Sequence, residues 1–248
     1  MSSLLEIHNV SKHFGGLHAL RGVTFETGEE ILGLIGPNGA GKTTLFNVIS
    51  GFLPPTEGEV HYEGTPIHAR RPHEIVGMGI ARTFQIVKPF GDLTVLENTL
   101  SGYGRPHYSR FEALFTRYRT AETEASCRRI LEITGLTKWA DTKASSLPIG
   151  LQRRLEIARA LATKPQILLL DEPAAGLTAE EAQGLADLIR RLHEQAISLI
   201  VIEHNMAFAM GLCQRIVVLA QGEVIAKGTP AEVQANPKVI GAYLGTDT

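Results

Sequence analysis

The sequence predicts an α/β protein: a mostly parallel sheet covered by helices on both faces, with an antiparallel β element and an inserted α-helical lobe. Three observations carry this. Short apolar runs alternate with helical patterns towards both ends of the chain. A glycine-rich loop joins one such run to a helix near residue 40. The alternation lapses over residues 88–146, where longer helical patterns replace it.

In order, LLEIHNV, VTFE and EEILGLIG read as strands. The run ILGLIG at 31–36 is apolar without interruption, as a strand buried on both faces requires. A helix is expected over 42–50, stopped by Gly51. GEVHYEG reads as a further short strand. FEALFTRYR and ETEASCRRILEITG are helical patterns of the middle segment, with a loop at GYGRP. Then follow a helix at 151–162, the strand QILLLD, a helix at 179–194, the strand SLIVIE and a helix from about Met206. The strand RIVVLA takes QGEVIAKG as its hairpin partner, and NPKVIGAYLG forms a helical tail. The expected division of the single domain 1–248 is a core over about 1–87 and 151–228, a helical lobe over about 88–150 and a tail over 229–248.

With 248 residues, 24 basic against 26 acidic, the chain lacks the basic excess of a nucleic-acid binder, and no nucleic-acid partner is expected. Cys127 and Cys213 lie far apart and read as two buried thiols in a reducing compartment. MSSLLEIHNV has no basic region followed by a long apolar core, so no signal peptide is expected. The longest apolar runs fall far short of the ~20 residues of a membrane helix.

Gly36, Pro37, Asn38, Gly39, Ala40, Gly41, Lys42, Thr43 and Thr44 fit G-x-x-x-x-G-K-[ST] between a strand and a helix, the context that this motif requires. Backbone N–H groups and the helix N-terminus suit a polyphosphate. Lys42 is placed to reach the β- and γ-phosphates, and the Thr43 hydroxyl to ligate Mg²⁺. No Asn-Lys-x-Asp element for guanine is present, so ATP is the expected nucleotide. A second aliphatic strand, ILLL, ends in Asp171 and Glu172, where open parallel sheets place their ligands. Asp171 is expected to hold Mg²⁺ through water, and Glu172 to act as general base.

With these motifs in order, the chain resembles the ATP-binding-cassette (ABC) ATPases, P-loop NTPases with a RecA-like core. The phosphate loop resembles their Walker A motif and ILLLDE their Walker B. LPIGLQ stands in the place of the signature, usually Leu-Ser-Gly-Gly-Gln. Gln85 in ARTFQ matches the Q-loop glutamine, His204 in VIEHN the switch histidine, and Phe14 in SKHFGG the ring that stacks on adenine. Alone, Phe14 is as good a core residue, His204 a structural histidine, and Gln85 says little; their shared order changes the reading. The resemblance spans nearly the whole chain.

It implies that two cassettes face each other head to tail, the signature loop of one, with Pro148 and Gly150, covering the γ-phosphate held by the other. Gly150 would precede a helix beginning near Leu151, whose N–H groups aim at that anion. Leu151, Leu155, Ala158 and Ala162 form the expected buried stripe, and the Arg and Glu residues between them the solvated or interlobe faces. The resemblance assigns catalysis to Glu172, His204, Lys42 and Gln85, and the metal to Thr43, Gln85 and Asp171. Pro148, Leu151 and Thr178 depart from the usual serine, glutamine and aspartate.

LPxG–QRRLEIARAL, EPAAGL, VIEHNM and the tail GTPAEVQANPKVIGAYLG resemble, more closely, the ATPase subunits of bacterial importers for branched-chain and related hydrophobic amino acids. Implied partners are a second ABC ATPase subunit, permease chains docking at about 85–105, and an extracytoplasmic binding protein. The implied place is the cytoplasmic face of the inner membrane. A lipopolysaccharide-type exporter shares a similar tail and is the nearest rival. A soluble ABC protein acting on nucleic acid is a further one.

Overall fold

A computed structural model describes residues 3–83, 89–103 and 119–244. The chain begins with β1 (Leu5–Phe14), β2 (Leu17–Thr27), β3 (Ile31–Ile35), α1 (Lys42–Ile49), β4 (Glu57–Tyr62), β5 (Thr65–Pro66), α2 (Pro72–Met78) and β6 (Ile80–Arg82). The helices α3 (Val95–Tyr103), α4 (Ala121–Thr134) and α5 (Ile149–Leu161) follow. The remainder is β7 (Ile167–Asp171), α6 (Ala179–Glu194), β8 (Ser198–Ile202), α7 (Met206–Leu212), β9 (Arg215–Ala220), β10 (Glu223–Gly228), α8 (Pro230–Gln234) and α9 (Pro237–Leu244).

Two sheets result. One has the order β10-β9-β3-β8-β7-β6, parallel throughout except for the β9–β10 hairpin. The other is antiparallel, in the order β2-β1-β4-β5. Successive strand side chains point to opposite faces, so each central strand feeds two cores. Leu32, Leu34, Leu169, Ile200 and Val217 pack with Phe46 and Ile49 of α1 and with Ile7, Val23 and Val60 of the antiparallel sheet. Ile31, Leu168, Leu170, Val201 and Val218 pack on the other face with α5, α6 and α7. This is the covered parallel sheet that the apolar runs imply, and its helix-free ends are where loops converge.

The third core belongs to the helical lobe: Leu96, Leu100, Cys127, Leu131, Leu155 and Ala158 join α3, α4 and one side of α5. The other side of α5, with Ile157 and Leu161, belongs to the sheet core. One helix thus ties the lobe to the sheet. Its crossing with α3 is close: a Cβ on Gly102 would lie 2.3 Å from the carbonyl oxygen of Arg159. Cys127 and Cys213 are both free and buried.

Several details differ from the sequence-based expectation. β2 extends well before VTFE, because its hairpin with β1 runs on to Phe14 paired with Leu17. The short α2 and three-residue β6 were not expected; neither carries enough residues to display a period. The helix expected at 151–162 starts at Ile149, since Pro148, at φ −56°, occupies its N-cap. Gly150 therefore lies inside the first turn and not ahead of it. Of the two faces expected for Arg153 and Glu156, solvated or interlobe, the solvated one is excluded: both are buried at 8% exposure, their charges 3.9 Å apart. Most of FEALFTRYR, residues 111–118, lies outside the described residues.

The close crossing is testable. Gly102→Ala should force α3 away from α5 and cost about 1–3 kcal/mol, the usual range for overpacking. Urea unfolding of the two proteins measures it.

Candidate functional site

The phosphate loop leaves β3 at Gly36, whose φ of 152° suits only glycine among residues with side chains to place. A Cβ there would lie 2.0 Å from the carbonyl oxygen of Leu219, so the loop is pressed onto β9 as it turns. Asn38, Gly39 and Thr43 are exposed at the mouth. Lys42 opens α1 and is 6% exposed. Its Nζ donates to the carbonyl oxygens of Gly36 at 2.7 Å and Pro37 at 3.0 Å, so the loop holds its own lysine by two backbone bonds. Burial pushes the Lys42 ammonium below its ordinary range, and Glu172 and Asp171 pull in the opposite direction.

The two acids end β7. In an unbroken strand they would face opposite ways. Glu172 instead takes a left-handed backbone, φ 48°, and both carboxylates act on Lys42. A non-glycine residue there costs on the order of 1–3 kcal/mol, and such conformations cluster at functional sites. Glu172 Oε2 stands 3.6 Å from Nδ1 of His204, which follows β8 and is 54% exposed. Asp171 is 3% exposed, and its Oδ2 accepts a hydrogen bond from Nη2 of Arg82 at 2.9 Å. Burial raises the Asp171 carboxyl above its usual range, with the Arg82 hydrogen bond and charge opposing.

Lys42, Asp171, Glu172 and His204 thus come from three separate segments to one end of the parallel sheet. The family pattern of ABC transporters matches residues 20–175, across the phosphate loop and both acids. The chain belongs to the ABC transporter family. The pattern of branched-chain amino acid ATP-binding cassette transporters matches residues 223–248. The cassette is 43% identical to the high-affinity branched-chain amino acid transport ATP-binding protein BraF of Pseudomonas aeruginosa, with 98% of each chain covered. It is 44% identical to the corresponding protein LivG of Escherichia coli, again over 98% of each. A nucleotide-free ATP-binding cassette of an ABC transporter superposes with a TM-score of 0.89 at 34% identity, covering 98% of this chain and 100% of that one. A dimeric cassette bound to ADP and Pi, in a post-hydrolysis state, superposes at 0.76 with 27% identity, covering 91% and 98%.

Phe14, Pro148, Gly150 and Thr178 belong to other elements of the cassette. Phe14 is at the tip of the β1–β2 hairpin, 45% exposed, with Nζ of Lys12 5.4 Å from its ring centroid. It is not a core residue, which leaves a ring face for a ligand. Pro148 and Gly150 begin α5, and no hydrogen bond or ion pair among the described residues joins them to the phosphate loop. Gly150 packs on its own chain: a Cβ would lie 2.7 Å from Glu181 Oε1. Thr178 caps α6, its hydroxyl accepting from the Glu181 amide at 3.2 Å. Gln85 lies outside the described residues.

Two residues at the site were missed in sequence. Arg82 is one; an arginine in the apolar run IAR just before Gln85 was its signal. Glu203 is the other: 1% exposed, it accepts from the Ala174 amide at 3.0 Å, tying the segment after Glu172 to the segment of His204. Among the described residues no group of three or more His, Cys, Asp or Glu side chains could hold a metal ion alone. The exposed Thr43 hydroxyl and the Asp171 carboxylate fit Mg²⁺, a cation that takes one or two protein oxygens and completes its shell with phosphate and water.

Removing the ammonium should be felt as lost phosphate affinity. Lys42→Met should weaken ATP binding by about 1.5–3 kcal/mol, the scale of a hydrogen bond to a charged group, or roughly 10- to 100-fold. Calorimetric titration with ATP checks it.

Proposed function

We propose that this cassette is the ATP-hydrolysing subunit of a membrane importer for branched-chain or related amino acids. One observation carries the reading: the convergence of Lys42, Asp171, Glu172 and His204, in a chain whose residues 223–248 match the branched-chain cassettes. That match favours the importer over a lipopolysaccharide-type exporter or a soluble protein acting on nucleic acid.

Lys42 and the N–H groups of the loop from Gly36 to Thr44, Pro37 excepted, neutralise the β- and γ-phosphates as charge shifts between them. Glu172 orients the attacking water and accepts its proton; His204, beside it, holds that carboxylate in line. Thr43, Asp171 and Gln85 would hold Mg²⁺, which would supply charge neutralisation at the phosphate oxygens. Phe14 offers its exposed face to adenine.

The first turn of α5 serves a second cassette. Its N–H groups and dipole suit an anion, and Pro148 and Gly150 present them to the nucleotide of the facing subunit. The dimeric cassette with ADP and Pi supports this pairing. Because Pro148 has no hydroxyl, the site it completes lacks one donor, and a pair of different cassettes would have unequal sites. No helix among the described residues is long and apolar enough to cross a membrane. Permease chains therefore do the crossing, and the cassette docks on them at the cytoplasmic face through the region 85–105, where Phe90 and Leu93 are exposed. An extracytoplasmic binding protein delivers the amino acid. The lobe of about 88–150 carries the docking surface, the core of about 1–87 and 151–228 the chemistry, and the tail of 229–248 closes the fold.

Glu172→Gln should keep ATP binding yet slow hydrolysis by about 10²–10⁴-fold, the worth of a general base. Turnover near that of the parent would remove Glu172 from the role. In an assembly reconstituted with its membrane partners, Pro148→Ser should raise turnover at the site that α5 completes. Mass identification of proteins co-purified from native membranes tests the importer itself: permease chains and a second cassette are expected.

A further inference from the structure

Arg82 ends β6 at the edge of the parallel sheet, and its side chain is 6% exposed. A guanidinium stays charged at any ordinary pH and brings five donors in a rigid fork, so burying it demands well-placed acceptors. Arg82 has them on two elements besides its own. Nη1 donates to Oδ1 of Asn47 at 2.8 Å and to Oγ of Ser50 at 2.9 Å, on and just after α1. Nη2 donates to Oδ2 of Asp171 at 2.9 Å. The rings of Phe46 and Phe52 lie 5.5 Å and 5.9 Å from the guanidinium carbon. The cation is thereby held from several directions, and the Asp171 carboxylate is held by it.

Stability alone does not account for this arrangement. A buried ion pair is often no better than an apolar residue of the same size. What it does supply is a fixed rotamer for Asp171, referenced to the helix that begins with Lys42 and Thr43. The arginine also stands three positions before Gln85, so the strand leading to that residue is the one that grips the acid.

We infer that Arg82 is a positioning residue for Asp171: by taking Oδ2 it sets the orientation in which the carboxylate would be presented to Mg²⁺ in the nucleotide site. The inference rests on the ATP-site reading above. The role inferred for Arg82 is exerted through the carboxylate that its Nη2 holds. Arg82 also joins the α1 end of the site to the edge strand β6.

The test uses the full chain carrying Glu172→Gln, so that ATP is not consumed. ATP affinity is measured by calorimetry in EDTA and then across a Mg²⁺ titration, for the parent, Arg82→Met and Arg82→Lys. Mn²⁺ binding in the presence of ATP is read separately by electron paramagnetic resonance. Arg82→Met should leave the metal-free ATP affinity close to the parent's. The Mg²⁺ concentration needed for half-maximal enhancement should rise about 10-fold, the usual cost of losing a partner that orients a metal ligand. Arg82→Lys should show a smaller rise in the same direction, and Mn²⁺ affinity should fall in parallel. A purely structural role would lower thermal stability and metal-free affinity without changing the metal requirement. An unchanged or lower metal requirement in Arg82→Met overturns the inference. If that variant does not fold, an unchanged requirement in Arg82→Lys does so. A parent that binds ATP with normal metal dependence while the variants match it sinks Arg82 alone. A parent that binds no ATP sinks the nucleotide-site reading as well.

Discussion

An ammonium group almost sealed from water at the open end of a parallel sheet is the constraint on which the site depends. Lys42 needs acceptors once it is buried, and the carbonyl oxygens of Gly36 and Pro37 provide them. Those carbonyls face inward only because the loop turns at Gly36, and that turn is possible only because no Cβ meets Leu219. The two acids at the end of β7 then offset the charge. Each element of the site answers the same electrostatic requirement. The anionic oxygens of a polyphosphate would answer the same requirement.

Much of this was legible in the sequence because it is local. The phosphate loop, the buried strands at 31–36 and 167–171 and the helices on either side obey short-range rules: period, glycine placement, caps. The side chains that complete the site obey none. Arg82 sits on a strand of three residues, and nothing in IAR says that its fork will reach Asp171, 89 positions later. Glu203 looks like any charged strand-end residue until the Ala174 amide is found against it. The start of α5 was misplaced by two residues for a related reason. Pro148 at the N-cap costs no hydrogen bond, so the helix begins directly after it and takes in Gly150.

The double duty of α5 explains why its charged residues defeat a simple amphipathic reading. A helix with one apolar stripe covers one core. This one touches the lobe through Leu155 and Ala158 and the sheet through Ile157 and Leu161, so most of its circumference is enclosed. Arg153 and Glu156 then have no solvated face to occupy and are buried in each other's company. A helix enclosed on both sides cannot tilt without moving the lobe, the sheet or both. Its N-terminal turn is therefore anchored through both cores.

Buried charge recurs at each junction of the fold: Arg82 with Asp171 at the sheet edge, Arg153 with Glu156 between lobe and core, Glu203 beneath the segment after Glu172. Apolar residues of the same volume would fill these places at comparable stability, because desolvation consumes most of the Coulombic gain. Apolar contacts, however, are non-directional and tolerate small slips. A guanidinium fork or a carboxylate on a backbone amide has one good geometry and loses steeply away from it. Concentrating such contacts where the nucleotide loop, the acid-bearing strand and the helical lobe meet fixes how these elements sit against one another. A site that hydrolyses ATP needs that fixed geometry more than it needs another kilocalorie of stability.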